Sequence, residues 1–132
     1  MKFLQPPGWK APKGYANGVA TAHGTLVFVA GQVGWNADQH FESDDFAAQA
    51  TRALQNIVAV LAEAGARPEH IVRMTWYVVD RHEYLANLRA LTDIYRSVIG
   101  PHYPAMTAVE VAALLEDRAR VEIEATAVLP GK

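Results

Sequence analysis

The stretch ALQNIVAVLAEAGARPEHIVRMTWYV, residues 53–78, decides the fold, because it predicts a helix and a strand joined through one glycine. Apolar side chains recur at helical spacing as far as Leu61, and Gly65 is placed to end the helix. From Ile71 to Val79 the residues are mostly β-branched, aromatic or otherwise apolar, which predicts a strand. Both sides of this strand are mostly apolar, with Arg73 as its only charge. We therefore expect both sides to be covered by other parts of the protein or by a partner, and not to face water.

Two amphipathic helices are predicted, and each has residues that favour helix ends. Ser43 can cap the first helix, and the two aspartates that follow it favour the positive end of the helix dipole. The second helix runs from about His82 to Ile99 and stops before Gly100-Pro101. Its apolar stripe consists of Leu85, Leu88, Leu91, Tyr95 and Val98.

The amino-terminal third of the chain contains two further β-like runs. Gly18–Ala22 and Thr25–Ala30 are separated by two residues, and this spacing predicts a hairpin. Gly31–Phe41 contains glycine, asparagine and aspartate and predicts a loop. Residues 1–14 are rich in proline, glycine and lysine and are predicted to be extended or irregular.

The last two β-like runs, Met106–Leu114 and Arg120–Val128, are joined by a short polar turn. The order is therefore ββαβαββ, which predicts one α+β domain over residues 1–132. Two helices cover only one face of a sheet, so the function depends on what the other face meets. Because Leu26–Val29 and Ile71–Val79 are apolar on both sides, we expect that face to form an interface between subunits.

The composition excludes several classes of function. The chain has no cysteine and a formal net charge of -2, so thiolate catalysis is excluded and nucleic acid is not an expected partner. No run approaches the roughly 20 apolar residues of a membrane span, so no membrane association is expected either. Pro6, Pro7 and Gly8 interrupt the apolar start of the chain, so we expect no signal peptide and a cytoplasmic location.

Two carboxylates are the first candidates for chemistry. Glu122 and Glu124 are two residues apart in a predicted strand and therefore share a face. They are either solvated carboxylates on an exposed face or groups that line a cleft, where a raised pKa suits proton transfer or the positioning of water. Glu110, on the neighbouring run, either joins them or pairs with Arg120. The five histidines show no metal-binding spacing, so no metal site is predicted.

Two aromatic residues are the second candidates. Trp35 lies in a glycine-rich segment after a strand, where it is either a packing residue or part of a ligand site. Tyr15 follows Lys13-Gly14 in a segment without an obvious role in the core. It is either the lid of a pocket or a surface aromatic.

Four segments, read together, resemble the Rid (YjgF-type) family of reactive-intermediate deaminases. They are VFVAGQVG at residues 27–34, the opening stretch at residues 53–78, YPAMTAVEV at residues 103–111 and VEIEATAV at residues 121–128. The order and spacing of these segments extend over most of the chain, from Tyr15 to about Pro130.

The resemblance implies a chorismate-mutase-like sheet with two helices on one face, assembled as a homotrimer with three clefts between subunits. The resemblance implies hydrolysis of imines or enamines, released by pyridoxal-phosphate enzymes, to keto acids and ammonia without a cofactor or metal. Tyr15 matches a pocket tyrosine of the family, and Glu122 matches the glutamate that places the attacking water. Trp35 and Thr107 are further expected contacts of a small-molecule ligand.

One position departs from the family pattern. The family deaminases read P-A-R-[ST], whereas this chain has Met106 where the arginine binds the substrate carboxylate. Methionine cannot form a bidentate ion pair. We therefore expect a Rid-like hydrolase without standard imino-acid deaminase activity. The alternative is a non-catalytic trimer that binds or senses a small molecule. The acidic charge balance argues against the ribonuclease activity after which some members are named.

Overall fold

The computed structural model describes residues 1–131, which contain six strands and three α-helices. In chain order these are β1 (Lys2–Leu4), β2 (Gly18–Ala20), β3 (Gly24–Val33), α1 (Phe46–Glu63), β4 (Ile71–Val78), α2 (Arg81–Ala86), α3 (Leu88–Val98), β5 (Ala105–Glu110) and β6 (Val121–Pro130). A single 3₁₀ turn, Pro68–His70, precedes β4. Within residues 1–131, no helix combines the length and apolar character that crossing a bilayer requires.

The main sheet has four strands in the order β3-β6-β4-β5. Strand β6 is antiparallel to both of its neighbours, whereas β4 and β5 are parallel. Strands β5 and β6 follow each other in the sequence but are not neighbours, because β4 lies between them. The α+β class with helices on one face of a sheet is confirmed.

The predicted hairpin in the amino-terminal third is wrong. Strand β2 pairs with β1, where Val19 faces Phe3, and β3 pairs with β6, where Val27 faces Ala127. The physical reason is length, since β6 offers β3 a ten-residue partner, whereas β2 has only three residues. Within residues 1–14, which were predicted to be extended or irregular, Lys2–Leu4 form the short strand β1.

Several strand boundaries differ from the prediction, most of all at the ends of β3 and β5. The loop expected over Gly31–Phe41 begins later, because β3 continues to Val33 through an irregular register between Val29 and Gln32. Strand β5 ends at Glu110 instead of Leu114, and β6 continues to Pro130. In each case backbone pairing with the neighbouring strand sets the boundary.

The first helix is confirmed, but its cap is Asp45 and not Ser43. Asp45 Oδ2 accepts a hydrogen bond of 2.9 Å from the N–H of Ala48, as an N-cap side chain does. The Ser43 hydroxyl instead accepts a bond from the N–H of Asp45. At the other end Gly65 follows α1 with φ +73°, a conformation that favours glycine.

The second predicted helix is interrupted at Asn87, which separates α2 from α3. The Asn87 amide donates a 2.8 Å hydrogen bond to the Glu83 carbonyl. Such local bonds let an asparagine side chain compete with the helical backbone pattern. The break changes the direction of the chain between the two helices without ending their shared apolar stripe.

The hydrophobic core lies between the helices and one face of the sheet. From Val121 to Ala127 strand β6 alternates, so that every second side chain points towards the helices. The sheet residues that meet the helices are Val27, Val29, Met74, Trp76, Val78, Val121, Ile123, Ala125 and Ala127. An irregular register between Ile71 and Arg73 also turns Ile71 into the core, which simple alternation in β4 does not predict.

The opposite side of the sheet, here called the open face, carries no helix. Its side chains include Leu26, Phe28, Thr75, Tyr77, Thr107, Glu122 and Glu124. Phe28 is 72% exposed and Leu26 is 60% exposed in the single chain. The open face is therefore a mixed surface on which large apolar side chains and carboxylates lie close together.

Gln49 of α1 connects the helix to the start of β6 through side-chain hydrogen bonds, and its replacement is expected to destabilise the fold. It is only 1% exposed, and its amide donates to the carbonyls of Ser43 and Arg118 and accepts from the N–H of Arg120. Gln49→Leu leaves these buried backbone groups unpaired and should lower the free energy of unfolding by about 3 kcal/mol. The control Gln55→Leu, at an exposed position of α1, should change it by less than about 0.5 kcal/mol.

Urea denaturation at one fixed protein concentration measures both values. Equal losses in the two variants would show that the Gln49 hydrogen bonds do not stabilise the chain.

Candidate functional site

The open face places Glu122 and Glu124 beside strand β4. Glu122 is in register with Tyr77, and Glu124 is in register with Thr75. The Tyr77 hydroxyl donates a 2.6 Å hydrogen bond to Glu124 Oε1. This bond and the nearby carboxylates raise the pKa of Tyr77 above its ordinary value, because they oppose ionisation of the phenol.

Glu110 neither joins Glu122 and Glu124 nor pairs with Arg120. Its carboxylate accepts a 2.8 Å hydrogen bond from the N–H of Arg81, at the start of α2. Arg120 instead forms an ion pair with Glu83, with Nε 3.0 Å from each carboxylate oxygen. The reason is that Glu110 is in register with the core residue Val78, so it lies on the opposite side of the sheet from Glu122 and Glu124.

The Glu122 side chain lies directly over the backbone of Gly31. A methyl group added at Gly31 would clash with Glu122 Oε2 and lie 2.8 Å from its carboxyl carbon. Any residue larger than glycine would therefore push the carboxylate away. Gly31 and Glu122 form one structural unit, in which the glycine leaves room for the carboxylate.

Met106 lies on the other side of the sheet, next to a cavity of about 460 Å³. It is in register with Met74 of β4 and packs against the hydrophobic core. The cavity lies between the edge of the sheet and helices α2 and α3. Its lining consists of Lys13, Gly14, Trp76, Tyr84, Leu88, Leu91, Thr92, Tyr95, Tyr103 and Met106.

Aromatic rings form much of the cavity wall and are held by contacts with each other. The rings of Tyr95 and Tyr103 stack with centroids 5.3 Å apart, and Trp76 meets Tyr84 edge-on at 6.2 Å. The Tyr95 hydroxyl donates a 2.6 Å bond to the His102 carbonyl, and burial raises the pKa of Tyr95. These rings carry no charge at neutral pH, and their contacts with each other hold them in place. The aromatic part of the cavity wall is therefore apolar and preformed.

The other predicted contacts are dispersed. Tyr15 is exposed and follows Gly14 of the cavity lining. Thr107 points to the open face, opposite to Met106. Trp35 packs against Phe41, with centroids 5.7 Å apart, in a separate surface depression. A single chain therefore does not bring the five predicted site residues together.

Sequence reasoning missed most of the cavity. Tyr95, Leu88 and Leu91 belong to the helical stripe that predicted core packing, and Trp76 was also interpreted as a packing residue. They do pack, but the break at Asn87 and the edge strand β5 leave space between them. The sequence signal for this lining is the concentration of aromatic residues near YPAM. The spacing of apolar residues along the helices does not reveal it.

The fold, the carboxylates of the open face and the lining of the helix-side cavity together define the class. The protein is a small α+β protein with an apolar cavity on one side of its sheet and carboxylates on the other. The family model described as endoribonuclease L-PSP matches residues 8–129, and the chain belongs to this family, which includes the Rid (YjgF-type) proteins. The resemblance inferred from the sequence is thereby confirmed.

Individual relatives agree with this assignment. A RutC family protein of Pyrococcus abyssi is 33% identical over 79% of both chains. A 2-iminobutanoate/2-iminopropanoate deaminase of Escherichia coli is 33% identical over 80% of both chains. The crystal structure of YyfB, a Rid family protein of unknown function from Yersinia pestis, has a TM-score of 0.86 and 34% identity, covering 97% of this chain and 98% of that one.

The Tyr77–Glu124 hydrogen bond yields a prediction about ionisation. In the wild type Tyr77 should ionise above the ordinary pKa of about 10, and in Glu124→Gln its pKa should fall towards that value. The physical reason is that the amide removes the negative charge that opposes phenolate formation. Tyrosine-selective ¹³C NMR measures the titration, with Tyr77→Phe identifying the resonance. An unchanged pKa in Glu124→Gln would contradict the proposed cause.

Proposed function

We propose that this protein is a cofactor-independent hydrolase of a small imine or enamine, working in clefts between the subunits of a homotrimer. The observation that carries the proposal is the Glu122 carboxylate seated over Gly31, in a chain that belongs to the Rid family. Relatives named 2-iminobutanoate/2-iminopropanoate deaminase support the reaction class.

The positions of Glu122 and Met106 favour a site shared between subunits. Within one chain the sheet separates them, since Glu122 lies on the open face and Met106 lies beside the helix-side cavity. Both are predicted site residues, and they meet only if different subunits supply them. Met106 lies in the edge strand β5, which leaves the cavity accessible to a neighbouring chain.

The open face supports the assembly. It exposes Phe28 and Leu26 in the single chain, and apolar side chains of this size are normally covered in a stable protein. A closed trimer covers the same surface on all three subunits and leaves no unpaired copy. The Rid family to which the chain belongs assembles in this way.

The chemistry follows from the groups available. Water adds to the carbon of the C=N bond, its oxygen forms the new C–O bond, and the nitrogen takes up a proton. The resulting carbinolamine then releases ammonia and leaves a carbonyl compound. Glu122 accepts the proton from water and returns it to nitrogen, which is general base and then general acid catalysis by one carboxylate.

The remaining predicted residues contact the substrate. Tyr15 covers the entrance next to Gly14, and Met106 provides an apolar wall. Thr107 and Trp35 lie away from the cavity in the same chain, so their contribution requires the neighbouring subunit. Met106 cannot pair with a carboxylate, so imino acids are expected to be poor substrates.

A second candidate function is a trimer that binds a small molecule without converting it. The observation that favours it is Met106, because the loss of a charged substrate contact is typical of a site under different selection. The two candidates differ at Glu122, which a purely binding protein does not need as a base.

The trimer is tested by its mass. Native mass spectrometry should give about three times the chain mass of 14.4 kDa. Phe28→Asp, which places a charge in the proposed interface, should reduce the trimer fraction, whereas Leu115→Asp at a fully exposed position should not. A stable monomer of the wild type at micromolar concentration would contradict the shared site.

Met106→Arg tests the reaction. With the imine of pyruvate, generated by an amino-acid oxidase, the wild type should be slow, and the variant should have a kcat/KM about 10-fold higher because a guanidinium can pair with the carboxylate. Adding Glu122→Gln to this variant should abolish the gain and lower its kcat/KM by about 100-fold or more, since an amide is not a base.

The assay follows keto-acid release above the spontaneous rate. Met106→Leu, which keeps the site apolar, is the matched control and should remain slow. A gain that persists in the Glu122→Gln background would show that another residue acts on the water.

A further inference from the structure

We infer that the substrate of this site carries an aromatic or similarly bulky apolar group and no carboxylate, and that this group occupies the helix-side cavity beside Met106. The inference rests on the proposed function and specifies its substrate class. It is carried by the size, the lining and the charge of the cavity.

The cavity is large enough for a molecular fragment. Its volume of about 460 Å³ lies within the usual range of roughly 300–1,000 Å³ for small-molecule sites. Two pairs of aromatic rings belong to the wall, with Tyr95 and Tyr103 stacked and Trp76 edge-on to Tyr84. A planar apolar group fits between such walls by edge-to-face or offset contacts.

The charge of the lining is wrong for a carboxylate. Met106 stands where an arginine would be needed, and Lys13 is the one charged residue among those that line the cavity in residues 1–131. Lys13 is exposed to water, so its ammonium lies outside the apolar interior. A carboxylate inside the cavity would lose its water without gaining a charged partner.

One polar group of the lining lacks a partner. The indole N–H of Trp76 is buried and has no hydrogen-bond acceptor in residues 1–131, while the side chain as a whole is 4% exposed. An unpaired buried donor in a native structure calls for a partner such as a bound molecule. A neutral polar group on the ligand suits this lining better than a charged one.

Direct binding tests the inference independently of catalysis. The probes are phenylacetamide and phenylacetate, which share the ring and differ in charge, and isothermal titration calorimetry measures both. The amide should bind the wild type at least about 10-fold more tightly, because the carboxylate must be desolvated. Met106→Arg should reverse the preference, and Met106→Leu should keep it.

A pair of leucines in the second helical region locates the binding site. Leu88 lines the cavity and is 46% exposed, whereas Leu85 is 56% exposed and does not line it. Leu88→Trp should fill the cavity and weaken phenylacetamide binding about 10-fold or more, without loss of the fold. Leu85→Trp, with the same added ring, should bind the amide like the wild type. Circular dichroism verifies that both variants fold.

A second arm measures turnover with a matched pair of imines. An amine oxidase acting on phenethylamine supplies the imine without a carboxylate, and an amino-acid oxidase acting on phenylalanine supplies the imine with one. Each takes up water and releases ammonia, giving phenylacetaldehyde and phenylpyruvate respectively. The wild type should accelerate the first about 10-fold more than the second, and Leu88→Trp should remove most of this difference.

The outcomes separate the two proposals. Tighter binding of phenylacetate, above all if Lys13→Gln abolishes it, would overturn the inference and identify Lys13 as the anion contact. Amide binding that Leu88→Trp leaves unchanged would also overturn it. Selective amide binding without turnover of either imine would support the ligand class and overturn the hydrolase. Turnover of both imines at equal rates would support the hydrolase and overturn the substrate class.

Discussion

The alternation of strand β6, at the interior of the sheet, is the constraint on which the rest of the structure depends. Its even and odd positions must satisfy two different environments. Val121, Ile123 and Ala125 enter the core against the helices, whereas Glu122 and Glu124 face away from it. A shift by one residue would bury two carboxylates and expose the core side chains, so the register is set by a large energetic difference. Strands β3 and β4 both pair with β6, so the register of β6 also fixes which of their side chains enter the core.

The same sheet separates the two halves of the candidate site. In the proposed reaction the carboxylate side needs a polar and partly solvated environment, because Glu122 would exchange protons with water. The Met106 side is an apolar cavity, in which aromatic rings exclude water. One thin sheet provides both environments without forcing a charge into the hydrophobic interior. In the proposed trimer the two environments meet at a subunit boundary, where a neighbour's carboxylate reaches the mouth of the cavity.

The replacement of a cation by Met106 changes the selectivity expected of such a cleft. An arginine selects a carboxylate by charge and geometry, whereas a methionine selects apolar volume and adapts its shape. The surrounding Trp76, Tyr84 and Tyr103 extend that apolar surface. The substitution is therefore consistent with its surroundings, since an unpaired guanidinium among these rings would be costly to desolvate. Selectivity and catalysis are thus assigned to different residues on different faces.

Sequence periodicity alone was sufficient for the helix over Phe46–Glu63, for the alternating strand β6 and for two apolar sides in β3 and β4, because these properties depend on local spacing. The motif order was sufficient for the family, and hence for Glu122 and Met106 as positions of interest. Strand pairing was not predictable, because β3 chooses β6 over its sequence neighbour β2 through contacts about 100 residues apart.

The cavity and the distance between the site residues were likewise decided only by the tertiary structure. A stripe such as Leu88, Leu91 and Tyr95 has the same pattern whether its partners close upon it or leave a space. The register of β5 and β6 on β4 puts Met106 and Glu110 on the helix side of the sheet and Glu122 on the open face. Local sequence determines which side of a strand is apolar, whereas long-range packing determines what that side meets.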